Sequence, residues 1–100
     1  MSVSAKSLDS GHKIEVIIQG RFDGNDHTAF REAYKTERSD AEYIINMQQA
    51  EYLDSSALGM LMLLREHAGS DAAQVSIINT PDDIKEVLKM SNFESLFTIS

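Results

Sequence analysis

The strongest candidate in this chain for a chemically functional site is the segment Asp54-Ser55-Ser56, because of its residue types and its position. These residues lie between the apolar residues of a predicted strand and those of a predicted helix, where main-chain N–H groups and the helix dipole point outward. A serine there could act as a nucleophile, but the G-x-S-x-G pattern that presents a hydrolase serine is missing, so we do not expect hydrolysis. Asp and Ser are also favoured helix-capping residues, which is the simpler interpretation of the same segment.

The helix predicted after Asp54 has two different faces when its residues are placed about 100° apart. The core face carries Ala57, Met60, Leu61, Leu64 and Ala68. The opposite face carries Ser55, Gly59, Met62 and Glu66. Glycine inside a helix costs about 1 kcal/mol relative to alanine, so an outward Gly59 beside an outward Met62 indicates a surface that another backbone approaches closely. The alternative is that Gly59 packs against a neighbouring loop of the same domain and Met62 is merely half-buried.

Other kinds of chemical site find little support in the sequence. The chain has no cysteine, which excludes disulfides, thiolate metal ligands and cysteine nucleophiles. His12, His27 and His67 lie on different predicted elements without the spacing of metal ligands. Neither a P-loop nor a G-x-G-x-x-G pattern occurs, and the carboxylates are spread over what reads as a solvated surface. We therefore expect no metal, no cofactor and no enzymatic activity.

Length and charge narrow the class of protein. A chain of 100 residues suits one small domain, expected to span residues 1–100. Its formal net charge of −7 disfavours nucleic acid and anionic lipid as partners. No apolar run approaches the roughly 20 residues of a membrane-spanning helix, and the N-terminus lacks the apolar segment of a signal peptide. We expect a cytoplasmic protein that binds neither nucleic acid nor a membrane.

Strand and helix patterns alternate along the chain. Alternating or continuous apolar residues predict strands at 3–8, 14–19, 43–47, 75–78 and 96–99, the second ended by Gly20. The third is apolar almost throughout, which suits a strand covered on both faces. Helical spacing predicts helices over 27–38, 55–69 and from Pro81 onward, the last with Ile84, Val87, Leu88 and Phe93 on its apolar stripe. This order predicts an α/β fold: a mixed, largely parallel sheet of about four or five strands with about three main helices, whose first two strands can form a hairpin.

Three short segments together resemble the STAS-domain family, and within it the bacterial anti-sigma-factor antagonists. The family's Asp-Ser-[Ser/Thr]-Gly-Leu-Gly pattern is matched at 54–59, its Gly-x-[Leu/Phe]-Asp pattern at 20–23, and its late Ser-Gly-Leu-x-x-[Leu/Ile]-Phe pattern at 91–97. Ala57 and Asn92 stand where the family usually has glycine. The form Ser-Ser-Ala-Leu-Gly-Met at 55–60 resembles a proteobacterial branch that serves motility, surface attachment or biofilm signalling.

The resemblance implies regulation by partner switching. The unmodified protein would bind an anti-sigma factor or a regulatory kinase or phosphatase, and phosphorylation of Ser55, the serine after the motif aspartate, would release it. A helix N-terminus tolerates a phosphate, whereas a partner packed on the outward face would be repelled by its charge and bulk. The implied partner-binding residues are Asp23, Asp54, Ser56, Gly59, Met62 and Glu66. Asp23 could equally cap the first helix, and Asp54 could cap the second or orient the serine hydroxyl.

Two other functions stay open from the sequence. STAS domains also occur as interaction subunits associated with transport, where serine phosphorylation is not required. A response-regulator receiver is likewise a small α/β domain with an aspartate after a middle strand, and Asp54 fits that position. A receiver, however, needs an acidic pair after its first strand to bind Mg²⁺, and Gly20-Arg21-Phe22 follow that strand here.

Overall fold

A computed structural model describes residues 3–100 of the chain. Its five strands are β1 Val3–Leu8, β2 Lys13–Phe22, β3 Glu42–Leu53, β4 Gln74–Ile78 and β5 Thr98–Ile99, and its three α-helices are α1 His27–Glu32, α2 Ser55–His67 and α3 Asp82–Met90. The strands form one sheet in the order β1-β2-β3-β4-β5. β1 and β2 pair antiparallel, and the other three pairings are parallel. The predicted α/β fold, including its N-terminal hairpin, is confirmed.

One face of the sheet carries the hydrophobic core. Ile14 of β2, Tyr43 of β3 and Val75 of β4 lie side by side in the paired strands and are all buried. The buried side chains of α2 and α3 belong to the same hydrophobic cluster. Burial of each large apolar side chain contributes roughly 1.5–3 kcal/mol, so this single layer of contacts fixes α2 on the sheet.

The opposite face of the sheet is only partly covered, and the expectation of cover on both faces of β3 is wrong. Ile44 and Asn46 are half-buried. Asn46 Nδ2 donates to a carboxylate oxygen of Glu15 at 3.0 Å, and Lys6 Nζ lies 3.5 Å from the other oxygen. These polar groups stay in contact with solvent, so the apolar run in β3 reflects cover on one face alone.

The first helix ends earlier than predicted, at Glu32 instead of Arg38. The chain then continues in turns, with i→i+3 hydrogen bonds from the Tyr34 N–H to the Arg31 carbonyl and from the Glu37 N–H to the Tyr34 carbonyl, and side chains from other elements bind the carbonyls at the end of this segment. The Tyr43 hydroxyl donates to the Arg38 carbonyl at 2.7 Å. A ring nitrogen of His67 lies 3.1 Å from the Glu37 carbonyl. These tertiary hydrogen bonds fix the position of the turns that replace the last part of the predicted helix.

Two strands run further than predicted. β2 continues past Gly20 to Phe22 because Gly20 adopts a φ of +74° where the register with β3 shifts, which is the geometry of a β-bulge. β3 extends to Leu53 through Gln48 and Gln49, which are polar and exposed. A glycine at a bulge and a polar stretch both look like strand ends in sequence.

The C-terminal segment departs from the predicted pattern in three places. Val87 is 37% exposed and does not belong to the buried stripe of α3. Phe93 is buried, but it lies in a 3₁₀ turn after the helix. Asn92, just before this turn, has a left-handed φ of 62°, a conformation that asparagine tolerates better than most residues. β5 begins at Thr98 and not at Leu96.

Tyr43 should make the folded state sensitive to alkaline pH. Burial, with a smaller contribution from the charge of Glu37, raises the pKa of Tyr43 from 10.0 to about 12. A pKa raised by folding stabilises the folded state fully below the unfolded pKa, and this contribution is lost as pH rises through the folded pKa. We therefore expect the free energy of unfolding to fall by on the order of 2 kcal/mol between about pH 10 and pH 12.

Denaturant titrations of the wild type and Tyr43→Phe across this pH range test that expectation. Tyr43→Phe should lose about 1 kcal/mol near neutral pH because it lacks the hydrogen bond to the Arg38 carbonyl. Its stability should then fall less steeply above pH 10, because the ionising group is gone. An equally steep fall in both proteins would contradict the role assigned to Tyr43.

Candidate functional site

The Asp54-Ser55-Ser56 segment begins α2, as predicted. Asp54 is the N-cap residue, and its Oδ1 accepts a hydrogen bond from the Ala57 N–H at 3.0 Å. Ser55 and Ser56 are the first helical residues, and both are exposed. Capping therefore accounts for Asp54, while both serine hydroxyls face solvent at a helix N-terminus.

The two serines differ in their surroundings. A Cβ atom placed on Gly24 would lie 3.5 Å from Ser56 Oγ, so the Ser56 side chain faces the loop that follows β2. Successive helical residues point about 100° apart, which directs Ser55 away from that loop. Ser55 is consequently the less obstructed of the two hydroxyls.

Asp23 caps the turn that precedes α1. Its Oδ1 accepts from the Asn25 N–H at 3.0 Å. Asp23 and Asp26 also form a capping box, in which the Asp23 side chain accepts from the Asp26 N–H and the Asp23 N–H donates to Asp26 Oδ2 at 3.1 Å. The predicted capping role is thus present, although it applies to a 3₁₀ turn and not to the α-helix itself. The second Asp23 oxygen lies 3.5 Å from Arg21 Nε.

Arg21 and Tyr52 form a contact that sequence reasoning missed. The Arg21 guanidinium carbon lies 4.1 Å from the centroid of the Tyr52 ring, the geometry of a cation–π interaction. The two residues are paired across β2 and β3, beyond the register shift after Gly20. A bulge changes which residues face each other, so the only signal in the sequence was the glycine itself.

The two faces predicted for α2 are present in the structure. All five predicted core residues are buried: Ala57, Met60, Leu61, Leu64 and Ala68. On the other face, three residues are exposed and Met62 is half-buried against the core: Ser55, Gly59, Met62 and Glu66. We call these four residues the docking face.

Gly59 has no neighbour within the described chain that would require glycine. A Cβ atom added there would meet no atom within 4 Å. The alternative in which Gly59 packs against a loop of its own domain is therefore wrong, although its second half, a half-buried Met62, is correct. Nothing within residues 3–100 offsets the cost of this helical glycine.

The topology excludes the receiver interpretation. Receivers have the doubly wound strand order 2-1-3-4-5, whereas this sheet has β1 at its edge, antiparallel to β2. Among residues 3–100 no group of three or more His, Asp or Glu side chains is arranged to hold a metal ion. In the same part of the chain no helix is both long and apolar enough to cross a membrane.

Comparisons with known proteins agree with this architecture. A family model described as Mlab, STAS domain matches residues 8–98. A STAS-domain containing protein of Pseudomonas aeruginosa is 45% identical over 101 residues, which cover 100% of both chains.

Solved structures show the same fold at low sequence identity. The anti-sigma factor antagonist SpoIIAA of Bacillus, unphosphorylated, aligns with a TM-score of 0.71 at 14% identity, over 98% of this chain and 86% of that one. Its phosphorylated form aligns with a TM-score of 0.67 at 13% identity, over 98% and 90%. A sulfate transporter family protein of Wolinella succinogenes aligns with a TM-score of 0.69 at 17% identity, over 91% and 75%. With the family model spanning most of the sequence and a relative matched along its full length, the chain belongs to the STAS-domain family.

Proposed function

We propose that this chain is an anti-sigma-factor antagonist that acts by partner switching. Unphosphorylated, it binds an anti-sigma factor, or a regulatory kinase or phosphatase, through the docking face and the adjoining residues Asp23, Asp54 and Ser56. Phosphorylation of Ser55 releases the partner, and removal of the phosphate restores binding. The fold shared with SpoIIAA, a protein solved in both unphosphorylated and phosphorylated forms, supports this proposal.

Gly59 is the observation that carries the proposal. It sits on the exposed face of α2, where alanine would be more stable by about 1 kcal/mol, and within the described chain nothing beyond its neighbours and the backbone of its own helix comes within 4 Å of a Cβ placed there. A partner whose backbone lies directly against α2 gives a reason for the missing side chain. Met62, half-buried beside it, offers that partner an adaptable apolar contact.

A phosphate on Ser55 would alter the docking face without unfolding the domain. The first N–H groups of a helix lack intrahelical partners, and together with the helix dipole they favour an anion. The phosphate would add a charge of about −1.5 to −2 and three acceptor oxygens. A partner that contacts Ser55 and Gly59 would meet both the added volume and the added charge, while α2 keeps its cap.

Ser55 is a better acceptor than Ser56 on steric grounds. The Ser56 hydroxyl lies against Gly24, 3.5 Å from the position of an added Cβ. A phosphate there would enter the loop that also holds the Asp23 carboxylate. The neighbouring negative charge and the close backbone both disfavour that product.

Phosphorylation by the cognate kinase and ATP should add one phosphate, located on Ser55. The adduct is counted by intact-mass spectrometry and placed by fragmentation. Ser55→Ala should abolish it, while the matched variant Ser56→Ala should leave it unchanged. A phosphate found on Ser56, or on a serine outside α2, would show that the assignment to Ser55 is wrong.

An interaction subunit associated with transport is the second candidate function. The likeness in fold to a sulfate transporter family protein favours it. In that function the partner is bound constantly and Ser55 stays unmodified. In the switching function the protein isolated from the cells that encode it carries phosphate at Ser55 in part of the population, so intact-mass spectrometry of the protein from those cells separates the candidates.

We propose that the switch serves motility or biofilm signalling, on the resemblance of the Ser-Ser-Ala-Leu-Gly-Met segment to the proteobacterial branch with those roles. In cells that encode the protein, Ser55→Ala and Ser55→Asp alleles should change swimming or biofilm mass in opposite directions. If neither allele changes either trait, the assignment to this pathway fails.

A further inference from the structure

A groove runs between α1 and α2, beside the docking face. It encloses about 540 Å³, within the range of about 300–1,000 Å³ typical of small-molecule sites. Phe30, Tyr34 and Met60 line it with buried side chains, and Leu63 lies at its rim with 46% of its surface exposed. The Phe30 and Tyr34 rings meet edge to face, 5.7 Å apart. The groove therefore offers a partly aromatic surface that no part of the described chain fills.

Charged side chains stand on both walls of the groove. Arg31 of α1 and Lys35 of the turn after it line one wall, and Glu66 lines the other from α2. Lys35 is held by Glu32 at 2.7 Å, whereas Arg31 forms no ion pair with any of residues 3–100. Among the four arginines of residues 3–100, Arg31 alone has no carboxylate partner, since the others pair with Asp23, Asp40 and Asp71.

The floor of the groove lies between these charges. Burial raises the pKa of Tyr34, while the charge of Arg31 lowers it and that of Glu66 raises it. Charged groups on both walls therefore act on the Tyr34 hydroxyl. A ligand bound over Tyr34 would have its charged end directed by Arg31 on one side and Glu66 on the other.

We propose that this groove binds a small amphipathic anion, with an apolar or aromatic body and a single acidic group. The body packs on Phe30, Met60 and Leu63, and the acidic group pairs with Arg31. Glu66 repels a second negative charge and so fixes the orientation of the first. The helix α1 is only six residues long, about 9 Å, and with the turn that carries Tyr34 and Lys35 it makes a short wall that suits a small molecule. This inference does not depend on Ser55 or on partner switching.

Titration with 8-anilinonaphthalene-1-sulfonate tests the proposal, because this probe joins an aromatic body to one sulfonate and fluoresces when it leaves water. We expect saturable binding of one probe per chain, with a Kd on the order of 10–100 µM. Arg31→Gln should weaken binding about tenfold through loss of a charge-assisted hydrogen bond. Glu66→Gln should tighten it about threefold, because an opposing charge is removed.

Lys85→Gln is the matched control, since it removes one positive charge from α3, outside the groove. It should bind the probe as the wild type does. Circular dichroism on each sample checks that the probe is not reporting unfolding. Amide chemical shifts should move at α1 and at 60–67. Equal affinity of Arg31→Gln and Lys85→Gln, or shifts confined to the partly covered face of the sheet, would overturn the proposal.

Discussion

Phosphorylation of Ser55 is expected to weaken binding of the protein partner more than a hundredfold, which corresponds to only about 3 kcal/mol. Ser55→Asp adds a single charge where phosphate adds nearly two, so it should act in the same direction by about tenfold. Ser55 lies at the exposed start of α2, where an anion is compatible with the helix. The melting temperature of Ser55→Asp should therefore fall by no more than a few degrees. Calorimetry for affinity and circular dichroism for folding, on the same samples, separate the two effects.

Ser39→Asp provides the matched control, because Ser39 is exposed in the turn before β3 and lies near Ala68, at the opposite end of α2 from Ser55. It adds the same charge and should leave affinity unchanged. Ser55→Ala should keep full affinity, since it removes only a hydroxyl. If Ser55→Asp bound as tightly as Ser39→Asp, negative charge at Ser55 would not control binding.

Gly59→Leu extends this test with an uncharged change. Leucine is a better helix former than glycine by nearly 1 kcal/mol, and a Cβ at Gly59 meets nothing within the described chain. The variant should be at least as stable as the wild type and yet bind the partner poorly. If Gly59→Leu bound the partner with full affinity, the docking face would not be part of the interface.

Leu61→Ala and Leu64→Ala are each expected to destabilise the fold by about 2–5 kcal/mol. Both side chains are fully buried in the cluster that joins α2 to the sheet. Met62→Ala, one residue from Leu61 but on the half-buried side of the helix, should cost much less. Denaturant melts of the three variants measure the difference.

Met62 serves here as the internal control for helix orientation. Met62→Ala removes a side chain of similar size from the same helix, so the three variants differ mainly in how deeply the lost side chain is buried. Equal losses of stability for Met62→Ala and Leu61→Ala would mean that the orientation assigned to α2 about its own axis is wrong. The residues assigned to the docking face would then be wrong as well.

Periodicity predicted the order of elements well because the core lies on one face of the sheet. Alternating residues such as Ile14, Val16 and Ile18 are all buried, and this regularity is visible in sequence. Element ends were less predictable. Gly20 looked like a strand end because its positive φ at a bulge cannot be told from a turn. The turns after α1 are positioned by hydrogen bonds from distant side chains, which leave no local pattern.

The same distinction applies to the candidate site. The Asp54 cap and the faces of α2 follow from local sequence and helical spacing, and both could be predicted. The Arg21–Tyr52 contact requires the exact register of two strands. To predict the groove at Arg31, one would need the distance between α1 and α2, which are connected in the chain through β3. Both arise only when distant segments come together.

The anchoring of α2 at both ends bears on how fast such a protein can respond. Asp54 holds the first turn, and the His67 ring at the far end meets the Glu37 carbonyl and the rings of Tyr34 and Tyr43. We do not expect a helix bonded at both ends to shift along or about its axis, so it is unsuited to transmit a conformational change to other elements. Phosphorylation of one serine of α2 would therefore act directly on a partner that contacts this serine. The response time would be set by the rates of the modifying enzymes and by the lifetime of the complex.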